Sequence, residues 1–216
     1  RIAQEGMQKE YGVSVGANLV KYYGNDVQVR ARAMAAAGSD ARMSGCLYPV
    51  VINSGSGNQG ITVSVPVIEY AKEMGVSHEK LVRALVFSNL IAIHQKTGIG
   101  RLSAYCGAVS AACGAGAGIT YLSGGSYEQI CATITNTLAN VSGMICDGAK
   151  PSCAAKIATA VDAAIMAHCL SMEAEEFQPG DGIVKDTVEN TIESVCEIAS
   201  QGMNVTDAKI LEIMVR

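Results

Sequence analysis

Apolar and polar residues follow a period near 3.6 over most of this chain, and glycine-rich breaks cut the pattern into helix-sized pieces. Residues 1–45 predict short helical pieces, broken near Gly12 to Gly16 and at Gly24. Asn25 and Asp26 suit the cap of a helix from Val27 to about Ala37, and Gly38-Ser39-Asp40 reads as its end. A short apolar stretch, Leu47 to Ile52, leads into the sharpest loop signal of the chain, Asn53 to Gly60. Helices are then expected from Ile61 to Met74, stopped by Gly75, and from Ser77 to about Lys96, stopped by Thr97 to Gly100. Two more are expected from Leu102 to Tyr121 and from Tyr127 to Ser142, the second with Ser126 as N-cap. Gly143 to Cys153 reads as a tight connection, with Pro151 suited to the first turn of a helix from Ser152 to Met172. Pro179 to Gly182 is a loop, Val184 to Ser200 a helix, Gln201 to Asn204 a break, and Val205-Thr206-Asp207 opens a last short helix. The sum is an all-α fold, one compact multi-helix domain over residues 1–216.

Composition sharpens this picture. With 216 residues, 49% of them apolar, the chain can bury a core, yet it has no Trp and only two Phe. Alanine and glycine fill the gap, and small side chains let helix backbones approach closely; a β-sandwich needs more β-branched and aromatic residues. The net charge of −4 and the absence of a basic patch argue against nucleic acid as a partner. Leu102 to Leu122 is long and nearly uncharged, but its Ala, Gly, Ser and Cys are weakly hydrophobic, so a buried helix is expected rather than a membrane span. No apolar run follows the opening Arg-Ile-Ala-Gln-Glu-Gly, and the eight cysteines are expected to be free thiols of a cytoplasmic protein, as core residues or as metal and redox ligands. The missing initiator Met points to a piece of a longer chain.

Spacing sorts the cysteines. Cys106 and Cys113 on one helix would stand about 10 Å apart along its axis, too far for one small metal cluster, so one of them is expected in the core. Cys113, set among Ala and Gly, fits that place, and Cys106 stands near the helix start, where a loop can meet it. Gly148 and Pro151 break any helix between Cys146 and Cys153, so a bent loop can bring these two together, with Cys153 in a first helical turn where free N–H groups favour a thiolate. The alternative is that all are small buried residues. Ser54, Gly55, Ser56, Asn58 and Gln59 before a helix read either as an anion cradle or as a plain flexible turn. The segment is neither a Walker loop nor a dinucleotide fingerprint.

Taken together, Asn53-Ser54-Gly55-Ser56-Gly57-Asn58-Gln59-Gly60, the Cys106-Gly107-Ala108 run and Met144-Ile145-Cys146-Asp147-Gly148-Ala149-Lys150 resemble the L-cysteine desulfidase family, which belongs with the iron–sulfur L-serine dehydratase alpha chains. The similarity runs from about residue 40 to 170. It implies an oxygen-sensitive [4Fe–4S] cluster held by three cysteines, with the fourth iron open to an amino-acid substrate. Cys106 and Cys146 match family cysteines, and a further dehydratase ligand maps to Cys153 at a shorter spacing. The reaction implied is α,β-elimination of L-cysteine to pyruvate, ammonia and sulfide, without pyridoxal phosphate; loss of water from L-serine is the alternative. The Ser54 to Gln59 loop would hold the substrate carboxylate or amine, and Lys150 either pairs with that carboxylate or is a solvated loop charge. Family members are about twice this length and carry a Cys-Thr-Glu-Pro segment in their N-terminal half that nothing here matches. The resemblance therefore implies the C-terminal part of a longer protein, partnered by its own N-terminal half or by a second copy. His78, His94 and His168 read as surface or satisfied interior histidines, leaving the general base unassigned. A rival from another class is a non-catalytic helical assembly or regulatory domain packed through small residues.

Overall fold

The structure, a computed structural model, describes residues 1–100 and 103–216. Among the described residues ten α-helices follow in chain order: α1 (Ile2–Gln8), α2 (Val15–Tyr23), α3 (Val27–Met43), α4 (Gly57–Met74), α5 (His78–Ile99), α6 (Gly107–Leu122), α7 (Tyr127–Val141), α8 (Cys153–Met172), α9 (Val188–Glu197) and α10 (Asn204–Met214), with a π-helical turn at Ile198–Gly202 between the last two. No sheet forms among the described residues; two isolated bridges, Asn53 with Ser56 and Tyr105 with Ile145, are the β-like pairings.

Helix α6 is the axis of the fold. Every residue in it except Gly107 and Tyr121 is buried, and α4, α5, α7 and α8 pack around it. Its glycines set how near those neighbours come: a Cβ on Gly114 would lie 2.4 Å from the Ser88 carbonyl oxygen of α5, and one on Gly116 would lie 3.0 Å from the Ala164 oxygen of α8. Small residues thus replace large ones in the core. The segment flagged by hydropathy is this central helix; Leu102, its expected start, lies outside the described residues. Among the described residues one helix, α8, is long and apolar enough to cross a membrane, and it packs against α3, α6 and α7 with over half its length buried. Hydroxyls lace the three helices α6, α7 and α8 together: Thr120 Oγ1 meets Thr133 Oγ1 at 2.8 Å and His168 Nδ1 at 2.9 Å, and Thr133 meets Ser171 at 2.7 Å.

Several boundaries differ from the sequence expectation for identifiable reasons. Helix α3 runs straight through Gly38-Ser39-Asp40, because these residues face inward: Gly38 lies against Ile61 and Ala3, and the Asp40 carboxylate accepts the Val15 N–H of α2 at 2.7 Å. A polar break signal was in fact the cap of another helix. Helix α4 starts at Gly57, not Ile61, so the glycine-rich loop supplies its first turn. Helix α6 starts at Gly107, since 104–106 pair in extended form with 144–146. Helix α9 starts at Val188, where Thr187 accepts from the Asn190 N–H, and the expected end at Ser200 is absorbed by the π turn. Gly75 stops α4 in the left-handed region, and Ser126 caps α7 through a full capping box with Gln129.

Candidate functional site

Backbone pairing brings two cysteines together. The Cys106 N–H donates to the Met144 carbonyl at 3.0 Å, and the Cys146 N–H donates to the Ala104 carbonyl at 2.6 Å. Cys106 is the N-cap residue of α6 and Cys146 sits on the facing extended segment. Their thiols adjoin closely enough to perturb one another, and Cys106 is buried. That contact divides their acidities. Donation from Cys106 holds the Cys146 thiol down to about 6, helped by the Gly148 N–H and the Lys156 charge against the opposing effect of burial. The Cys106 thiol, bound to its neighbour's sulfur and buried, is pushed well above the ordinary thiol range. The pair gives up one proton readily and the second with difficulty.

Cys153 opens α8, and its sulfur accepts from the Lys150 N–H at 3.5 Å and donates to the Gly148 carbonyl at 3.6 Å. Cys106, Cys146 and Cys153 line one cavity of about 170 Å³, together with Ser56, Asn58, Gln59, Lys96, Tyr105 and Lys156. No carboxylate lines it among the described residues. Among the described residues no three Cys, His, Asp or Glu side chains stand as a preformed metal-binding group, although Cys106, Cys146 and Cys153 line the same cavity. Cys113 is fully buried in α6, and burial pushes its thiol up to about 12. All eight cysteines are free thiols.

The glycine-rich loop is held rather than loose. Asn53 and Ser56 exchange both backbone hydrogen bonds, and the two residues between them, Ser54 and Gly55, have φ of 50° and 89°, as a tight primed hairpin turn requires. Asn53 Nδ2 donates to Asn89 Oδ1 of α5 at 2.8 Å, and Arg42 Nη1 donates to Asn58 Oδ1 at 3.2 Å. Gly60 passes so near the preceding strand-like stretch that a Cβ there would lie 1.8 Å from the Val51 oxygen. A Cβ on Gly107 would meet the end of the Gln59 side chain at 2.6 Å, so any larger residue there displaces that amide. Ser54 and Gly55 face an outer groove of about 920 Å³, while Ser56, Gln59 and Lys96 line both groove and cavity, standing at the boundary between them.

Of the residues singled out in the sequence, Ser56, Asn58, Gln59, Cys106, Cys146 and Cys153 meet at the inner cavity, and Ser54 and Gly55 meet at its outer side. Lys150 is exposed, and the cavity's lysines are Lys96 and Lys156 instead. Lys156 pairs with Asp147; burial works against its ammonium, but that carboxylate and the neighbouring thiols more than offset it, and its pKa is raised. Lys96 is only 8% exposed and has no carboxylate partner among the described residues. Among the described residues no histidine lines the cavity: His94 meets Glu189 at 2.7 Å on the surface, His168 belongs to the hydroxyl network, and His78 is exposed. Lys96 escaped the sequence reading because a lysine in the last turn of a helix reads as a solvated end. The signal was present in the spacing Ala84, Ser88, Ala92, Lys96, a buried stripe of small residues four apart that leads to it.

Comparison with known proteins accords with these motifs. The family model described as "Serine dehydratase alpha chain" matches residues 1–212. Among curated relatives, a UPF0597 protein of Lachnoclostridium phytofermentans is 65% identical over 99% of this chain and 51% of its own length. Similar proteins from Desulfitobacterium hafniense and Treponema denticola are 61% and 57% identical, over 99% and 100% of this chain and 50% and 51% of theirs. The chain thus spans about half the length of the curated relatives it matches. No solved structure matches it. With the family model covering nearly all of its length, the chain belongs to the serine dehydratase alpha chain family.

Proposed function

We propose that this chain carries the metal and substrate site of an iron–sulfur lyase that eliminates the β-substituent of a small amino acid. L-Cysteine, losing sulfide, is the substrate we favour; L-serine, losing water, is the second reading, favoured by the name of the matching family. The observation that carries the proposal is the convergence of Cys106, Cys146 and Cys153 on one cavity beside the Ser56–Gln59 turn.

The donor set fits a [4Fe–4S] group: cysteines line the cavity, no carboxylate does so among the described residues, and the Cys146 thiol is held down to about 6. Cys106, Cys146 and Cys153 would hold it, and such a cluster with one open iron supplies Lewis acidity toward a departing thiol or hydroxyl. The chain's own residues would do the rest. Ser56, Asn58 and Gln59 would bind the carboxylate or amine of the substrate, with Ser54 and Gly55 at the entrance from the outer groove. The two pinned ends of the loop keep those groups oriented. Removal of the α-proton falls to one of the titratable groups at the cavity, or to the half of the relatives' length outside this chain; elimination gives aminoacrylate, which hydrolyses to pyruvate and ammonia. Lys150 is left as a solvated charge.

Anaerobic reconstitution of the chain with iron and sulfide, followed by iron and acid-labile sulfide analysis, tests the proposal. Cluster-level iron that disappears in Cys106→Ser and Cys146→Ser supports it. Iron retained unchanged in both variants would remove these cysteines from the metal site and favour a helical assembly domain, in which the same substitutions affect stability alone. Comparing kcat/KM for L-cysteine and L-serine in a full-length relative settles the substrate.

A further inference from the structure

Lys96 is the cavity's unexplained charge. It is only 8% exposed, lines both the outer groove and the inner cavity, and has no carboxylate partner among the described residues. Lys156, the other cavity lysine, has its charge met by Asp147. Burying an ammonium without a carboxylate partner is costly, and the nearby Cys146 and Cys106 sulfurs offset only part of that cost, since burial is the larger effect on Lys96. The last turn of α5 favours a cation, but any exposed lysine would satisfy that dipole. Around Lys96 stand hydrogen-bonding groups of the right kind for a zwitterion: the Ser56 hydroxyl and the Gln59 amide line the same two spaces. Burial lowers the Lys96 pKa, and the nearby Cys146 and Cys106 sulfurs push it back up.

We propose that Lys96 is the residue that receives the α-carboxylate of the substrate, and so selects amino acids with a free carboxylate over amines and amides of the same size. The amine then falls to the oxygens of Ser56 and Gln59. The assignment deepens the lyase reading and rests on it for the identity of the ligand as an amino acid, but its geometry is independent of iron. The ammonium acts by charge and position; no proton transfer is assigned to it.

The test is binding of L-alanine and L-alaninamide, which lack a β-leaving group, to the full chain by isothermal titration calorimetry, with iron measured in the same samples. The wild type is expected to bind L-alanine at least about tenfold more tightly than the amide, the range of a charge-assisted hydrogen bond. Lys96→Met is expected to abolish that preference, Lys96→Arg to retain part of it, and Lys156→Met to leave it intact. If Lys96→Met does not fold by circular dichroism, Lys96→Gln answers the same question. Equal affinities in the wild type, no binding of either compound, or a preference that survives in Lys96→Met overturns the assignment. A Lys96 that merely balances cluster charge would lower iron content and leave the preference untouched, which also overturns it. Iron content separates the two proposals: a chain that discriminates through Lys96 but holds no iron keeps the carboxylate site and loses the cluster, and a chain that holds iron without discrimination does the reverse.

Discussion

The Cys106–Cys146 contact makes a prediction that needs no cofactor. If the Cys106 thiol holds its neighbour as a thiolate, Cys106→Ala should return Cys146 toward ordinary thiol behaviour. Alanine is the right substitution, because a serine hydroxyl could donate in place of the thiol. The Cys146 thiol titrates near 6 in the intact pair, and an unperturbed one near 8.5. At pH 6 the thiolate fraction would then fall from about one half to about 0.003, a loss of roughly 150-fold. A less acidic thiolate is the better nucleophile, which restores about tenfold over that interval. Titration wins: alkylation of Cys146 at pH 6 should slow by on the order of 10-fold. Above pH 9 the order reverses, because Cys146 is largely ionised in both proteins and only the difference in nucleophilicity remains. The assay is the pH dependence of iodoacetamide labelling of the iron-free chain under anaerobic conditions, with the Cys146 peptide quantified by mass spectrometry among the eight cysteines. A midpoint unchanged by Cys106→Ala would refute the reasoning and assign the acidity to the Gly148 N–H and Lys156; Lys156→Met would then shift it instead.

Three further outcomes follow from the packing. Gly60→Ala places a Cβ 1.8 Å from the Val51 oxygen, a backbone atom; overpacking of roughly 3 kcal/mol outweighs the ~1 kcal/mol helix-propensity gain, and urea unfolding should show a net loss of about 2 kcal/mol. Ser126→Ala removes the capping box of α7 and should cost about 1 kcal/mol, visible as a fall of about 2–4 °C in Tm. His168 is held neutral by burial, so its folded pKa lies below the unfolded value of 6.5. The unfolded chain therefore binds the proton more strongly, and this group's contribution to stability is full above 6.5 and lost as pH falls below it. The wild type should lose more Tm between pH 7.5 and 5 than His168→Gln does; equal losses would show that His168 is not a source of the acid sensitivity.

What the sequence could and could not disclose turns on which physical signal each feature leaves. Helix existence was legible, because caps and stops act within a few residues: Ser77, Gly75, Gly100 and Ser126 all stand where they terminate helices in the structure. Orientation was less legible. In α5 the large apolar residues Val82, Val86, Leu90 and Ile93 face outward, 42–57% exposed, while Ala84, Ser88 and Ala92 face in. Hydropathy points the wrong way there, since close helix approach selects for size and not for apolar character; Gly114 of α6 needs a small face opposite it, and Ser88 supplies one. The same inversion hid Lys96, which continues the small inward stripe. Gly38-Ser39-Asp40 failed as a break for a related reason: a polar residue buried in one helix served the terminus of another, a partner far away in sequence. Local chemistry is written locally, and the cavity is not local. Its thiols come from the start of α6, the extended segment before α8 and the first residue of α8, and its lysines from the last turn of α5 and the first turn of α8. Motif resemblance could pick out the cysteines one by one, but only the 104–106 and 144–146 backbone pairing explains why Cys106 meets Cys146 while Cys113, seven residues on, sinks into the core with a thiol too buried to ionise.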